Sequence, residues 1–109
     1  MNLLDRLKNW FSSGGRDDNR MAAAMECAKD KQPAEAIKLY TELLRSPTAS
    51  SETKARALFN RALAYSSMKD DVQAAADLKT LMAMRDAPEN VRAAARNQIV
   101  RLQNRSTAS

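Results

Sequence analysis

The sequence predicts an all-α fold: two tandem helical hairpins, a C-terminal capping helix and a separate N-terminal amphipathic helix. Three observations predict it. Apolar residues recur at helical spacing along most of the 109-residue chain. The three prolines and two glycines lie mainly outside those periodic stretches, where they punctuate rather than break helices. The pattern of the first hairpin also returns 38 residues later in the second.

Residues 1–11, MNLLDRLKNWF, form the first expected helix. At 100° per residue, Leu3, Leu4, Leu7, Trp10 and Phe11 gather in an arc of ~120°, with Asp5, Arg6, Lys8 and Asn9 on the rest of the wheel. Residues 12–19, SSGGRDDN, hold both glycines and read as a flexible joint. A helical domain then spans residues 20–105. Its first helix starts near Asp17–Asn19, with the acids as caps and dipole partners, and runs to about Lys31. Pro33 fits the first turn of the next helix, whose Ile37, Tyr40, Leu43 and Leu44 are helically spaced. Residues 46–52, SPTASSE, make a turn and a cap. Further helices are expected from about Ser51 to Lys69 and from Asp71 to Arg85, with Asp70-Asp71 as a cap. After the break at Asp86-Ala87-Pro88 a capping helix covers residues 88–104, its stripe made by Val91, Ala95, Ile99 and Leu102. Residues 106–109 are expected to be a disordered tail.

The 38-residue shift sets Ala24 on Ala62, Cys27 on Tyr65, Lys31 on Lys69, Ala36 on Ala74, Tyr40 on Leu78 and Leu43 on Leu81. Small residues fall where two helices cross and larger ones beside them, as a helical hairpin requires. On Ala24, Cys27, the stretch AEAIKLYTELL at 34–44 and Pro47, and again on Leu58, FNRALAY at 59–65, Ala74, Leu78 and Pro88, the chain resembles the tetratricopeptide repeat. The resemblance covers repeats at about 17–50 and 55–88. It departs from the family in its spacing, 38 against ~34 residues. Cys27 stands where an aromatic is usual, and Ala24 and Ala62 where glycine is. A plain helical bundle accommodates the same helices.

What the resemblance implies is a groove lined by the first helix of each hairpin: Met21, Ala22, Met25 and Lys29, then Arg56, Phe59, Asn60, Leu63 and Ser67. Flexible methionines suit such a surface. The competing reading puts the same apolar residues in the core. A carboxylate clamp of the kind some family members carry is not expected, because Met21 and Met25 occupy positions where polar residues would be needed.

Composition narrows the chemistry. There is no histidine, one cysteine and a net charge of +5. Cys27 alone makes neither a disulfide nor a cysteine metal site, and its repeat position is that of a core side chain. No enzyme, metal or cofactor is expected. Asp17-Asp18 and Asp70-Asp71 sit at helix starts, where capping explains them. In the capping helix Arg92 and Arg96 flank one side of the apolar face, Arg101 and Arg105 the other, without interleaved aromatics, so nucleic acid is not the expected partner. The N-terminal helix has one acid against two bases. That thin charge favours docking on protein, in the chain's own groove, on a second copy or on a partner, over a membrane surface. The sequence thus predicts a protein–protein interaction adaptor that binds an apolar or amphipathic peptide, with its own N-terminal helix as occupant or regulator. A peripheral membrane tether is the alternative, and nucleic-acid binding a third. The lone cysteine and the lack of an apolar leader or spanning run point to the cytoplasm.

Overall fold

The computed structural model describes residues 16–108, with side chains to residue 105. The described residues fold as five helices: α1 (Arg16–Lys29), α2 (Pro33–Arg45), α3 (Ser51–Ser67), α4 (Asp71–Met82) and α5 (Glu89–Ala108). The fold is all-α, without strands among the described residues.

Local chemistry sets most boundaries. Pro33 opens α2, where its missing N–H costs nothing. The Ser50 side chain accepts the Thr53 N–H at 3.1 Å and starts α3; the Asp70 carboxylate accepts the Gln73 N–H at 3.2 Å and starts α4. Three boundaries differ from expectation. α1 begins at Arg16, so residues 16–19 of the expected joint are helical. α4 stops at Met82 rather than Arg85, through turns in which Ala83 and Met84 donate to Lys79 and Leu81 carbonyls. α5 continues to Ala108, so the backbone of 106–108 is helix and not a disordered tail. No proline or glycine stands between Pro88 and residue 108 to end it.

The two hairpin turns are copies of each other. Lys31 and Lys69, related by the 38-residue shift, are the two non-glycine residues with positive φ among the described residues, at 61° and 62°. Gln32 N–H donates to Cys27 O at 2.8 Å and Asp70 N–H to Tyr65 O at 2.9 Å; Lys31 donates to Ala28 O and Lys69 to Ser66 O. This is the pair of bonds by which a Schellman turn satisfies the last carbonyls of a helix. The repeat read from residue types is therefore also a repeat of backbone geometry.

Each helix packs on the next in sequence. In addition α1 touches α3 and α3 touches α5, whereas α2 and α4 make no contact with each other. The helices thus lie in two layers, α1, α3 and α5 in one and α2 and α4 in the other. The body's 19 Å short dimension is about two helix diameters. Its core has two parts. Ala23, Ala24, Cys27, Ala36, Tyr40, Leu43 and Ala57 close the first hairpin against α3. Ala55, Leu58, Ala62, Ala74, Leu78 and Leu81 close the second, joined by Ala87, Val91, Ala95 and Leu102 around the capping helix. Leu44 packs against both parts. Alanine at so many crossing points lets the helices approach closely.

An ion pair inside the second hairpin also reaches across to the first. Arg61 Nε donates to Asp77 Oδ2 at 2.8 Å and its Nη2 to Oδ1 at 2.6 Å, a bidentate contact between α3 and α4. Its Nη1 reaches Thr41 Oγ1 on α2 at 3.0 Å, and the guanidinium stacks over the Tyr65 ring at 5.7 Å. The Asp77 carboxylate holds the Arg61 proton more firmly than in a free arginine.

Candidate functional site: the cleft between α1 and α3

An open cleft of 450 Å³ lies between the end of α1, the start of α2 and the C-terminal half of α3. Ala28 and Lys31 come from the end of α1 and its turn, Pro33 and Tyr40 from α2. Asn60, Leu63, Ala64 and Ser67 come from α3. The α3 residues follow from helical geometry: Asn60, Leu63 and Ser67 lie within one turn-to-turn stripe, on the arc left open between α1 and the second hairpin.

The cleft floor carries no charge at neutral pH. Tyr40 is buried, and burial with Cys27 nearby pushes its hydroxyl up to about 12. Beneath it the Cys27 thiol is also buried and pushed up, by burial first and by Glu35, Asp30 and Glu26 next. Proline, alanine and leucine make the walls. Asn60 offers hydrogen bonds at one edge, Ser67 can accept there while its hydroxyl donates to the Ala64 carbonyl at 2.7 Å, and Lys31 is exposed at the mouth. Such a lining accepts an apolar side chain whose backbone or polar end needs partners.

Of the groove residues expected from sequence, Asn60 and Leu63 line this cleft, and Leu63 keeps 38% of its surface exposed. Met25, on the outer side of α1, is 52% exposed. Lys29 is exposed in the last turn of α1. Arg56 lies on the same face of α3, paired with Glu52 at 2.9 Å. Met21 and Phe59 sit differently: both are half-buried, Met21 against the first core and Phe59 against the second. The docking residues Leu3, Leu4, Leu7, Trp10 and Phe11 lie outside the described residues.

Two features lie outside the residues that the repeat pattern singles out for the groove. Tyr40, one of the helically spaced positions of α2, is also the floor of the cleft. The Arg61–Asp77 pair carried a signal in the repeat itself, since the 38-residue shift sets Arg61 on Ala23 and Asp77 on Leu39. Opposite charges at two positions that are apolar in the sister unit mark a polar contact inside the fold.

Three of the capping-helix arginines pair with carboxylates at the surface. Arg92 and Arg96 both bind Glu89, at 2.6 and 2.9 Å, and hold its carboxyl below the usual range, the Arg96 hydrogen bond contributing most. Arg105 binds Asp71 and, at 3.1 Å, Ser66. The acids expected as caps divide similarly: Asp70 caps α4, but Asp17 takes hydroxyl bonds from Ser46 at 2.7 Å and Thr48 at 2.6 Å, tying the start of α1 to the loop after α2. Among the described residues no helix is long and apolar enough to cross a membrane. A second, shallower cleft lies between α4 and α5, lined by Asp71, Val72, Ala75, Ala76, Lys79, Leu102 and Gln103. Comparison with family models, with curated proteins and with solved structures found no match.

Proposed function

We propose that the chain is a short tetratricopeptide-type adaptor that binds an apolar or amphipathic peptide segment across the α1–α3 face. The observation that carries this reading is the cleft itself. It has an uncharged floor, largely apolar walls, a polar edge at Asn60 and Ser67, and an exposed Leu63 on its wall. Met25 extends the apolar surface along α1. A contiguous apolar patch on a small protein is a common mark of a contact surface. A helix presenting residues at i, i+3 and i+4 has the right form to seat one anchor in the cleft and lay others along α1. The two-layer stacking, in which the first helices of successive hairpins touch, supports the repeat reading, as do the paired Schellman turns at Lys31 and Lys69.

The test is a selection of amphipathic helical peptides on the native chain, followed by affinity measurement on variants. Leu63→Glu and Met25→Glu place a carboxylate on the proposed surface without emptying the core. Each is expected to weaken selected peptides at least about tenfold, because a charge must be desolvated where an apolar anchor sat. Peptides that bind both variants as well as the parent, with circular dichroism unchanged, would remove this function.

A further inference from the structure

We propose that the resident occupant of the α1–α3 cleft is residues 1–11 of the same chain, docked in cis and displaced by a partner peptide; the proposal rests on the groove reading above. The first argument is reach. The five links from Phe11 to Arg16 span at most about 17 Å, and eleven helical residues add about 16 Å. Along α1, Ala28 lies only about 18 Å from Arg16. A helix that doubles back antiparallel to α1 therefore arrives at the cleft with length to spare. The cleft is also an apolar one on the helix that the tether enters, since α1 lines it and makes no contact with α5.

The second argument is chemical. Leu3, Leu4, Leu7, Trp10 and Phe11 form one apolar arc, the kind of face that the Met25 and Leu63 surface and the uncharged floor accept. The third argument is tethering. A helix of eleven residues is marginal in water and needs a surface to fold on. A short linker raises its effective concentration to about millimolar, so an intrinsic affinity of that order already half-fills the cleft. A partner must then compete with the tethered segment, which makes the chain self-regulated.

Trp10 is the single tryptophan and reports the answer directly. In the full chain its emission is expected to be blue-shifted against the urea-unfolded chain, independent of protein concentration. It should move red in Leu63→Glu and in Asn60→Lys but not in Val72→Glu on the far cleft, all three with unchanged circular dichroism. Trp10→Ala should tighten a selected peptide several-fold. The inference is overturned by a solvent-exposed Trp10, or by a blue shift that survives both cleft variants. It is equally overturned by a shift that grows with protein concentration, which means a second copy, or by one seen only with phosphatidylserine vesicles. Its failure is separable from that of the adaptor reading. An exposed Trp10 alongside Leu63-dependent peptide binding removes only the cis occupant. A Leu63-sensitive Trp10 in a chain that binds no peptide even as Trp10→Ala removes only the adaptor.

Discussion

Cys27 and Tyr40 illustrate how one buried site does two jobs. Each is about 1% exposed, so each supplies packing between α1 and α2 while Tyr40 also floors the cleft. The raised thiol pKa of Cys27 follows from burial, and the thiolate is the reactive form. Cys27 is thus expected to react with a disulfide reagent at neutral pH only as fast as the chain opens, and at the rate of a free thiol in denaturant; rapid labelling of the folded chain would contradict its placement. The carboxylates give a second expectation. Asp17 is held below the usual range by Thr48 and Ser46, Asp86 by Ser51, and Glu89 by Arg96 and Arg92. A carboxylate with a depressed folded pKa stabilises above its unfolded value and loses that contribution as pH falls through the folded one. The thermal midpoint should therefore fall as pH drops below about 4, and Asp17→Asn should flatten part of that fall.

At the level of elements, the Schellman turns are where sequence and geometry disagree most. A left-handed residue with a side chain costs about 1 kcal/mol or more, and glycine is the usual occupant. Lysine sits there twice. Lys31→Gly and Lys69→Gly should each raise stability to urea by up to about 1 kcal/mol, additively because the turns are separate. The same turns show what the sequence made legible. Helices with an opening signal were placed closely: Pro33 marks α2, Ser50 α3 and Asp70 α4, because capping is chemistry between residues three apart. Ends without a signal were not. Nothing in residues 83–85 or 105–108 announces where α4 stops or how far α5 runs, and tertiary packing decides. Asp17 looks like a cap in the sequence because its partners, Ser46 and Thr48, lie 29 and 31 residues away. The groove was legible in part for a similar reason. The 38-residue shift names the right helices and face, but whether Leu63 stays open while Phe59 turns to the core depends on where α5 lands.

For the molecule as a whole, the link between hairpins is the Arg61–Asp77–Thr41 contact together with the α2–α3 packing. The Arg61 and Asp77 side chains are 18% and 6% exposed, so neither charge is well solvated without the other. Arg61→Ala leaves the Asp77 carboxylate buried without its partner and should cost about 3–5 kcal/mol. The double variant Arg61→Met, Asp77→Leu should recover most of that loss, since an apolar pair fills the positions occupied by Ala23 and Leu39 in the first unit. Chemical denaturation of the three variants checks both statements. A single-variant cost that persists in the double would show that Arg61 matters for its contacts with Thr41 and Tyr65 instead.

The central claim is that the α1–α3 cleft is the binding surface, and an amide-resolved NMR titration of the native chain with a selected amphipathic peptide tests it most directly. The account predicts that the largest shifts fall on Met25, Ala28, Lys31, Asn60, Leu63 and Ser67. Shifts gathered instead on Val72, Ala75, Lys79 and Leu102, around the cleft between α4 and α5, would contradict it.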